Sequence, residues 1–463
     1  MATYAEKLGT FVADLDYDKL PASIVKKVKL HILDSVGLAL AACQTEWARV
    51  TTEVARALGG PEESQAIGTG HRFPAPNAAL VNGTMIHGLD FDDTYIPGQV
   101  HVSSFVVPAV LAAGEAKGAS GKVALVAAVA GYEASCRIGR ASFDKSSGRN
   151  EFTNRGFHTA GILGPLGAAT VTAKIMGMDS DTTASALGIA ASQSSGVLQT
   201  QLEGTWVKTL HPGWGAHGGI IACYLAQAGF SAPHKIFEGE LGLFNSFLGA
   251  GNYDLDDLTQ GLGQEWRMLD ISFKLYPAGH GTHFFLESAL HLQQQHQLKA
   301  EDIAEVRCAI SPFRVHAHFE PHDVKYTPPN DYIARFSLPY LLAVRLLRDD
   351  FGLDAFSEET LRDSKVLELA SKVTYVLDDK ADLPENKGHV VIRTKEGRVY
   401  EHRQTVIPGT PERPATEEEI KRKFRLSARQ SLSTERIEAI IDGVGNLEKL
   451  DNVKGLVDLT APA

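Results

Sequence analysis

Ala22-Ser23-Ile24-Val25-Lys26-Lys27-Val28-Lys29-Leu30-His31-Ile32-Leu33-Asp34-Ser35-Val36-Gly37-Leu38-Ala39-Leu40-Ala41-Ala42 places Ile24, Val28, Ile32, Val36 and Leu40 at every fourth position. Apolar residues at that spacing line one face of an α-helix, and Ser23 offers a start signal. The same pattern predicts helices over about 78–87, 103–117, 122–142, 159–176, 181–195 and 216–228, with Asp179 and Asp181 as acidic caps for the fifth. Stretches such as Leu163-Gly164-Pro165-Leu166-Gly167-Ala168-Ala169 are rich in small residues, so the helices are expected to pack closely.

The pattern changes near Trp266. Ala304–Ile310 alternates like a strand, and His389–Thr394, Lys395-Glu396-Gly397 and Arg398–His402 read as a β-hairpin. Helical stretches near 338–347 and 358–372 lie between them, giving an α+β insert of roughly 270 to 400. After Pro414, Thr416-Glu417-Glu418-Glu419 reads as a capped helix start, and helical sequence continues to about Leu447.

The chain has 463 residues and a formal net charge of -11, with 44% hydrophobic and 22% charged residues. That composition is ordinary for a globular protein and argues against disorder. The acidic balance argues against a general nucleic-acid binder. No segment reaches the roughly 18 apolar residues of a membrane span. The N-terminus lacks a charged-then-apolar signal pattern, so a cytoplasmic protein is expected. Cys43, Cys136, Cys223 and Cys308 are scattered and form no metal spacing.

Asp90-Phe91-Asp92-Asp93-Thr94 sets three carboxylates between two apolar stretches. Carboxylates so close repel unless cations, protons or N–H groups offset them. Asp90-x-Asp92-x-Thr94 also fits the aspartyl-nucleophile pattern of Mg-dependent phosphatases. Asp90-x-Asp92-Asp93 fits the acidic motif of terpene cyclases. Both need contexts this chain lacks: a strand before the motif for the first, aromatic-rich repeats for the second.

Histidine and lysine supply the remaining chemistry. His101 follows the acidic run, His158 opens an apolar helix whose N-terminus could receive an anion, and His280 and His283 form an i,i+3 pair. No third ligand stands beside that pair, so no metal is expected. Lys208 sits in an apolar, Gly-rich setting, where a buried lysine could clamp a carboxylate. Lys274 and Arg335 are further anion-clamp candidates.

In order, Leu33-Asp34-Ser35-Val36-Gly37, Leu89–Thr94, His101-Val102-Ser103-Ser104, Gly156-Phe157-His158-Thr159, Lys208–Gly213, Lys274-Leu275-Tyr276-Pro277 and Ala334–Tyr340 resemble the MmgE/PrpD family. That family includes 2-methylcitrate dehydratases, cis-aconitate decarboxylases and an iminodisuccinate epimerase. The resemblance implies a mainly α protein: a large all-helical domain from both chain ends (1–268 and 403–463) with an inserted α+β lid domain (269–402). It further implies a homodimer, no metal or organic cofactor, and a small polycarboxylate substrate.

Matched to the decarboxylase pattern, the catalytic candidates are Asp90, Thr94, His101, His158, Lys208 and, from the lid, His280. His283, Lys274 and Tyr326 are the substrate-binding candidates. The Thr94-to-His101 spacing is one residue longer than in the decarboxylases. Val102 and Thr159 replace prolines, and Gly279 stands where those enzymes carry a histidine. The epimerase pairs Tyr with Lys; His158 stands in the place of that Tyr, which favours a lyase, with epimerisation the alternative.

Overall fold

The computed structural model describes residues 2–144, 148–348 and 350–462. Among these, helices dominate and the sheets are few and small. The opening run forms one helix, Ala22–Ala42, although its cap position falls on Pro21 with no side-chain bond instead of Ser23. Ser103–Lys117, Gly121–Ala141, Thr159–Ile175 and Ser180–Ser192 follow the predicted spans to within a few residues, and Asp179 caps the last through the Thr182 N–H.

Two differences have physical causes. The helix expected from Ala216 starts at Val207, because Pro212 and the glycines around it lie inside the helix rather than ahead of it. The helix expected over 358–372 is two, Glu358–Leu361 and Ser364–Ala370, because Asp363 caps the second. The strand that follows, Val373–Leu377, carried no sequence signal used above.

Close approach organises the helices around the site. Val207–Gln227 lies against both Thr159–Ile175 and Ala75–Gly88. A Cβ on Gly213 would stand 2.3 Å from the Leu80 carbonyl oxygen, and one on Gly215 would stand 2.9 Å from the Gly164 Cα. Glycines here let backbones meet where side chains would hold them apart, and so fix where Lys208 emerges.

The buried apolar residues form two main clusters. One gathers residues from Ala5 to Phe273 and again from Ile420 to Val457. The other runs from Ala278 to Ile392. The second surrounds a four-stranded sheet ordered Val399–Arg403, His389–Thr394, Ile303–Ile310, Val373–Leu377. The expected hairpin is antiparallel, and Ile303–Ile310 pairs antiparallel to His389–Thr394 and parallel to Val373–Leu377. The C-terminal segment rejoins the first cluster through Glu417–Ala428, whose Thr416 and Glu419 form the expected capping box. All four cysteines are free and buried.

Candidate active site

The acidic run begins where the Ala75–Gly88 helix ends. Asp90 turns the chain there with φ of 49°, a left-handed conformation that Asp adopts more readily than most residues. The turn sends the three carboxylates in three directions. Asp90 Oδ1 lies 3.0 Å from Lys274 Nζ and 3.3 Å from Lys208 Nζ. Asp92 Oδ2 lies 2.8 Å from His87 Nδ1. Asp93 pairs with His31 Nδ1 at 2.7 Å and accepts from the Ser103 N–H and hydroxyl.

A short antiparallel pairing brings the second lysine in. Thr94 and Tyr95 pair with Ser272 and Ile271, which carries Lys274 alongside the acidic run. Lys274 Nζ also donates to the Asp90 carbonyl at 2.9 Å. A third buried lysine, Lys423 of the Glu417–Ala428 helix, contacts Asp34 at 2.8 Å and donates to the Phe91 and Lys274 carbonyls at 2.7 and 3.0 Å. The C-terminal segment thus holds the backbone on which Asp90 and Lys274 sit.

Burial would raise every carboxyl here, and the neighbours decide the outcome. Burial works against ionised Asp90, but Lys208 and then Lys274 outweigh it and hold its pKa well below the usual range. At Asp92 burial, reinforced by Asp90 and Asp93, outweighs His101 and Lys274 and pushes it up to about 6. Asp34, desolvated despite Lys423, is likewise pushed up to about 6.

The histidines gather next to this charge. His101 Nδ1 donates to the Asp93 carbonyl at 2.9 Å, with the Thr94 hydroxyl 3.4 Å away. A carbonyl only accepts, so Nδ1 carries the proton and Nε2 keeps the lone pair. The His87 ring centroid lies 4.8 Å from that of His101 and 5.3 Å from that of His158. His158 Nδ1 meets His211 Nδ1 at 3.0 Å, while its Nε2 is buried without a hydrogen-bond partner. His280 Nε2 is in the same state. Desolvation depresses all of them: His101 to about 3, His211 to about 4, and His87, His158 and His280 well below the ordinary value.

A cavity of about 630 Å³ joins these groups, lined by Asp90, Thr94, His101, His158, Lys208, Lys274 and His280 among others. A second cavity of about 590 Å³ lies behind Leu89 and Phe91, reached by Arg335 and Lys423, and no histidine lines it. The first is therefore the candidate site. Phe285 and Ile310 of the second cluster form part of its wall, and Asp90, His101, His158 and Lys208 come to it from the N-terminal helical region.

Three sequence candidates lie off this cavity. His283 is buried behind His280, its Nε2–H donating to the Ala278 carbonyl at 3.2 Å. The Tyr326 hydroxyl donates to the Val373 carbonyl at 2.7 Å, within the second cluster. Arg335 spends its guanidinium on the Leu89 and Pro277 carbonyls and on the Phe356 ring. His87 and His211 do not line the cavity but contact histidines that do, His87 through ring contacts with His101 and His158 and His211 through His158 Nδ1, and neither is singled out from sequence. His87 sits in the helix before the acidic run and His211 three residues after Lys208, and neither has a pattern beyond proximity.

At the site, His87, Asp90, Asp92 and His101 have ligand atoms within 4.8 Å of one another and could hold a cation; Glu6, Asp181 and His234 form a second such group away from the cavity. The Lys208 and Lys274 ammoniums already neutralise the Asp90 carboxylate through Oδ1. The Asp93 carbonyl already occupies the His101 Nδ1 proton. Asp90 Oδ2, Asp92 Oδ1 and His87 Nε2 are buried without a hydrogen-bond partner, so the cluster keeps donor atoms that the lysines do not occupy. The Asp90-x-Asp92-x-Thr94 pattern follows a helix and leads into a two-residue strand of a two-stranded antiparallel pair, not the parallel sheet a phosphatase nucleophile needs.

Comparison with known proteins finds relatives over nearly the whole chain. The chain is 27% identical over 470 residues to cis-aconitate decarboxylase of Aspergillus terreus, covering 97% of this chain and 94% of the relative. It is 28% identical over 480 residues to human cis-aconitate decarboxylase, covering 99% and 95%. It is also 28% identical over 479 residues to the cis-aconitate decarboxylase-like protein oryM of Aspergillus oryzae, covering 98% and 96%. The MmgE/PrpD N-terminal domain matches residues 6–256 and the MmgE/PrpD C-terminal domain matches residues 276–449. With those two matches spanning most of its length, the chain belongs to the MmgE/PrpD family.

Proposed function

We propose that this protein is a lyase acting on a small di- or tricarboxylic acid, of the cis-aconitate decarboxylase or 2-methylcitrate dehydratase type, without a metal or organic cofactor. The observation that carries the reading is the meeting of Lys208–Asp90–Lys274 with His101, His158 and His280 on one cavity. Two cations on one carboxylate leave positive charge to hold a substrate carboxylate, and fixed charge of this kind is a large catalytic contribution. Neutral imidazoles beside it supply acid and base.

The hydrogen bonds favour distinct roles for two histidines. His101 Nε2 is the base. With His211 Nδ1–H donating to His158 Nδ1, His158 Nε2 carries a proton and is the acid. In a dehydration, His101 takes the proton on the carbon beside the carboxylate, and His158 protonates the departing hydroxide as water. In a decarboxylation, the C–C bond breaks to release CO₂. Its electron pair moves through the alkene, and the far carbon takes the His158 proton, which solvent replaces. Lys208 and Lys274 hold the charge that develops on the retained carboxylate. Acid–base help of this sort is worth about 10²–10⁴-fold.

In this reading residues 1–268 and 403–463 form the body, and residues 269–402 form a lid that brings His280 to the substrate. The working unit is a homodimer and its home is the cytoplasm. No helix among the described residues is long and apolar enough to cross a membrane. Side-by-side assay of cis-aconitate, 2-methylcitrate and iminodisuccinate tests the reading. Release of CO₂ or a new alkene absorbance, unchanged by EDTA, is expected. Loss of optical rotation with iminodisuccinate alone would make it an epimerase, and activity lost to EDTA and restored by Mg²⁺ would end the metal-free reading.

A further inference from the structure

The acid–base end of the cavity is too small a cationic site for a polycarboxylate. Its charged groups are Asp90, Lys208 and Lys274, and the histidines beside them are held neutral. That balance matches one carboxylate. The same cavity continues to a second wall, carried by residues 311–318 and 381–388, where Arg314, Lys387 and Asp382 face it. At about 30 Å³ per water, 630 Å³ holds on the order of twenty water molecules, so the space extends well beyond one carboxylate.

The second wall is built, not incidental. The Asp382 carboxylate accepts from the Ser311 hydroxyl at 2.7 Å and from Arg314 Nε, which fixes the guanidinium plane by its inner edge. The outer edge runs beside Gly281, where an added Cβ would come within 2.8 Å of Arg314 Nη1. Gly281 follows His280, so the guanidinium and the imidazole share one turn of chain. Lys387 lies 5.0 Å above the Phe284 ring, and the Arg314 charge, after burial, pushes its pKa down. Two cations thus repel each other on one wall that carries a single carboxylate, Asp382, an arrangement that an incoming anion relieves.

We propose that Arg314 and Lys387, with Asp382 and Ser311 orienting the guanidinium, bind a second carboxylate of the substrate opposite Lys208 and Lys274. This rests on the lyase reading for the site and its polycarboxylate substrate, and deepens it by assigning the residues that hold the second carboxylate. The charged lining supports it. Arg149, Lys208, Lys274, Arg314 and Lys387 stand against Asp90 and Asp382, an excess of three positive charges in a chain whose net charge is -11. An excess of three matches a tricarboxylate trianion. Bridging both walls would also draw the His280 turn onto the substrate.

Titration calorimetry with propane-1,2,3-tricarboxylate, which has neither alkene nor hydroxyl to react, tests the clamp separately from turnover. Wild-type protein is expected to bind it, and to bind butyrate far more weakly. Arg314→Met and Lys387→Met should each weaken the tricarboxylate about 10- to 100-fold and leave butyrate unchanged. Thermal melts run alongside. If Arg314→Met melts early because Asp382 is left unpaired, Lys387→Met, whose residue makes no ion pair to Asp382, carries the test. Equal tricarboxylate affinity in wild type and both variants overturns the clamp while the lyase reading stands. Clamp-dependent binding with no turnover of any assayed acid supports the clamp and overturns the lyase reading. A wild type that binds no tricarboxylate overturns both.

Discussion

Asp90 shows how much one residue decides. Its left-handed turn separates it from Asp92 and Asp93, and its two lysine neighbours keep it ionised while Asp92, five atoms of backbone away in the same run, is pushed up to about 6. Identical side chains therefore serve differently: Asp90 anchors the cations, Asp92 holds His87, and Asp93 caps the Ser103–Lys117 helix while pairing with His31. Lys208 is the member of this group whose loss tests the proposed chemistry most directly. Lys208→Met should lower kcat by about 10²–10³-fold, the scale of removing one charge stabiliser, with the circular dichroism spectrum retained because Lys274 still pairs Asp90. A loss confined to KM would instead make Lys208 a binding residue only.

At the scale of elements, the decisive feature is how closely the Val207–Gln227 helix approaches its neighbours. Gly213→Val would drive a side chain into the Leu80 carbonyl, so a stability loss of about 3 kcal/mol or more is expected, seen as an earlier denaturant midpoint. Because Lys208 rides on the same helix, activity should fall further than the folded fraction does. Equal losses of both would show that Lys208 is placed independently of this crossing. These helices were legible where apolar spacing ran unbroken, as in Ala22–Ala42 and Ser103–Lys117. Legibility failed at Pro212, because proline inside a helix reads as a boundary, and at Asp363, because a cap inside an apolar pattern reads as continuation.

The whole molecule carries an unusual load of buried neutral histidine. His101 and His283 are pushed down to about 3 and His211 and His318 to about 4, with His87, His158 and His280 also depressed, all chiefly by burial. A histidine with a folded pKa below its free value near 6.5 takes up a proton on unfolding in between. Each contributes stability that is full above about pH 6.5 and is lost as pH falls. Asp34 and Asp92, raised to about 6, act the opposite way between about pH 4 and 6 and favour the fold as they protonate. Asp90 and Asp93, held low, add stability that is lost only below about pH 4. Burial also raises Glu115, Glu133 and Asp270, but the depressed histidines still outnumber the raised carboxyls, so Tm should fall from pH 7 to pH 5. A Tm that rises over that range would mean the histidines are already charged in the folded protein.

Sequence by itself determined the helical character, the change to an α+β segment after Trp266 and the return to helix after Pro414, because each follows from local spacing and capping. It also singled out Asp90, Thr94, His101, His158, Lys208, Lys274 and His280, which line one cavity. Tertiary structure decided the rest. Whether a histidine faces the cavity or lies one turn behind it, as His280 and His283 do, depends on how the chain enters a turn. Which lysine meets which carboxylate spans 118, 184 and 389 residues of chain in the Lys208–Asp90, Lys274–Asp90 and Lys423–Asp34 pairs. No local pattern encodes partners that far apart, because the attraction that joins them acts only after the apolar clusters have packed and the water between them is gone.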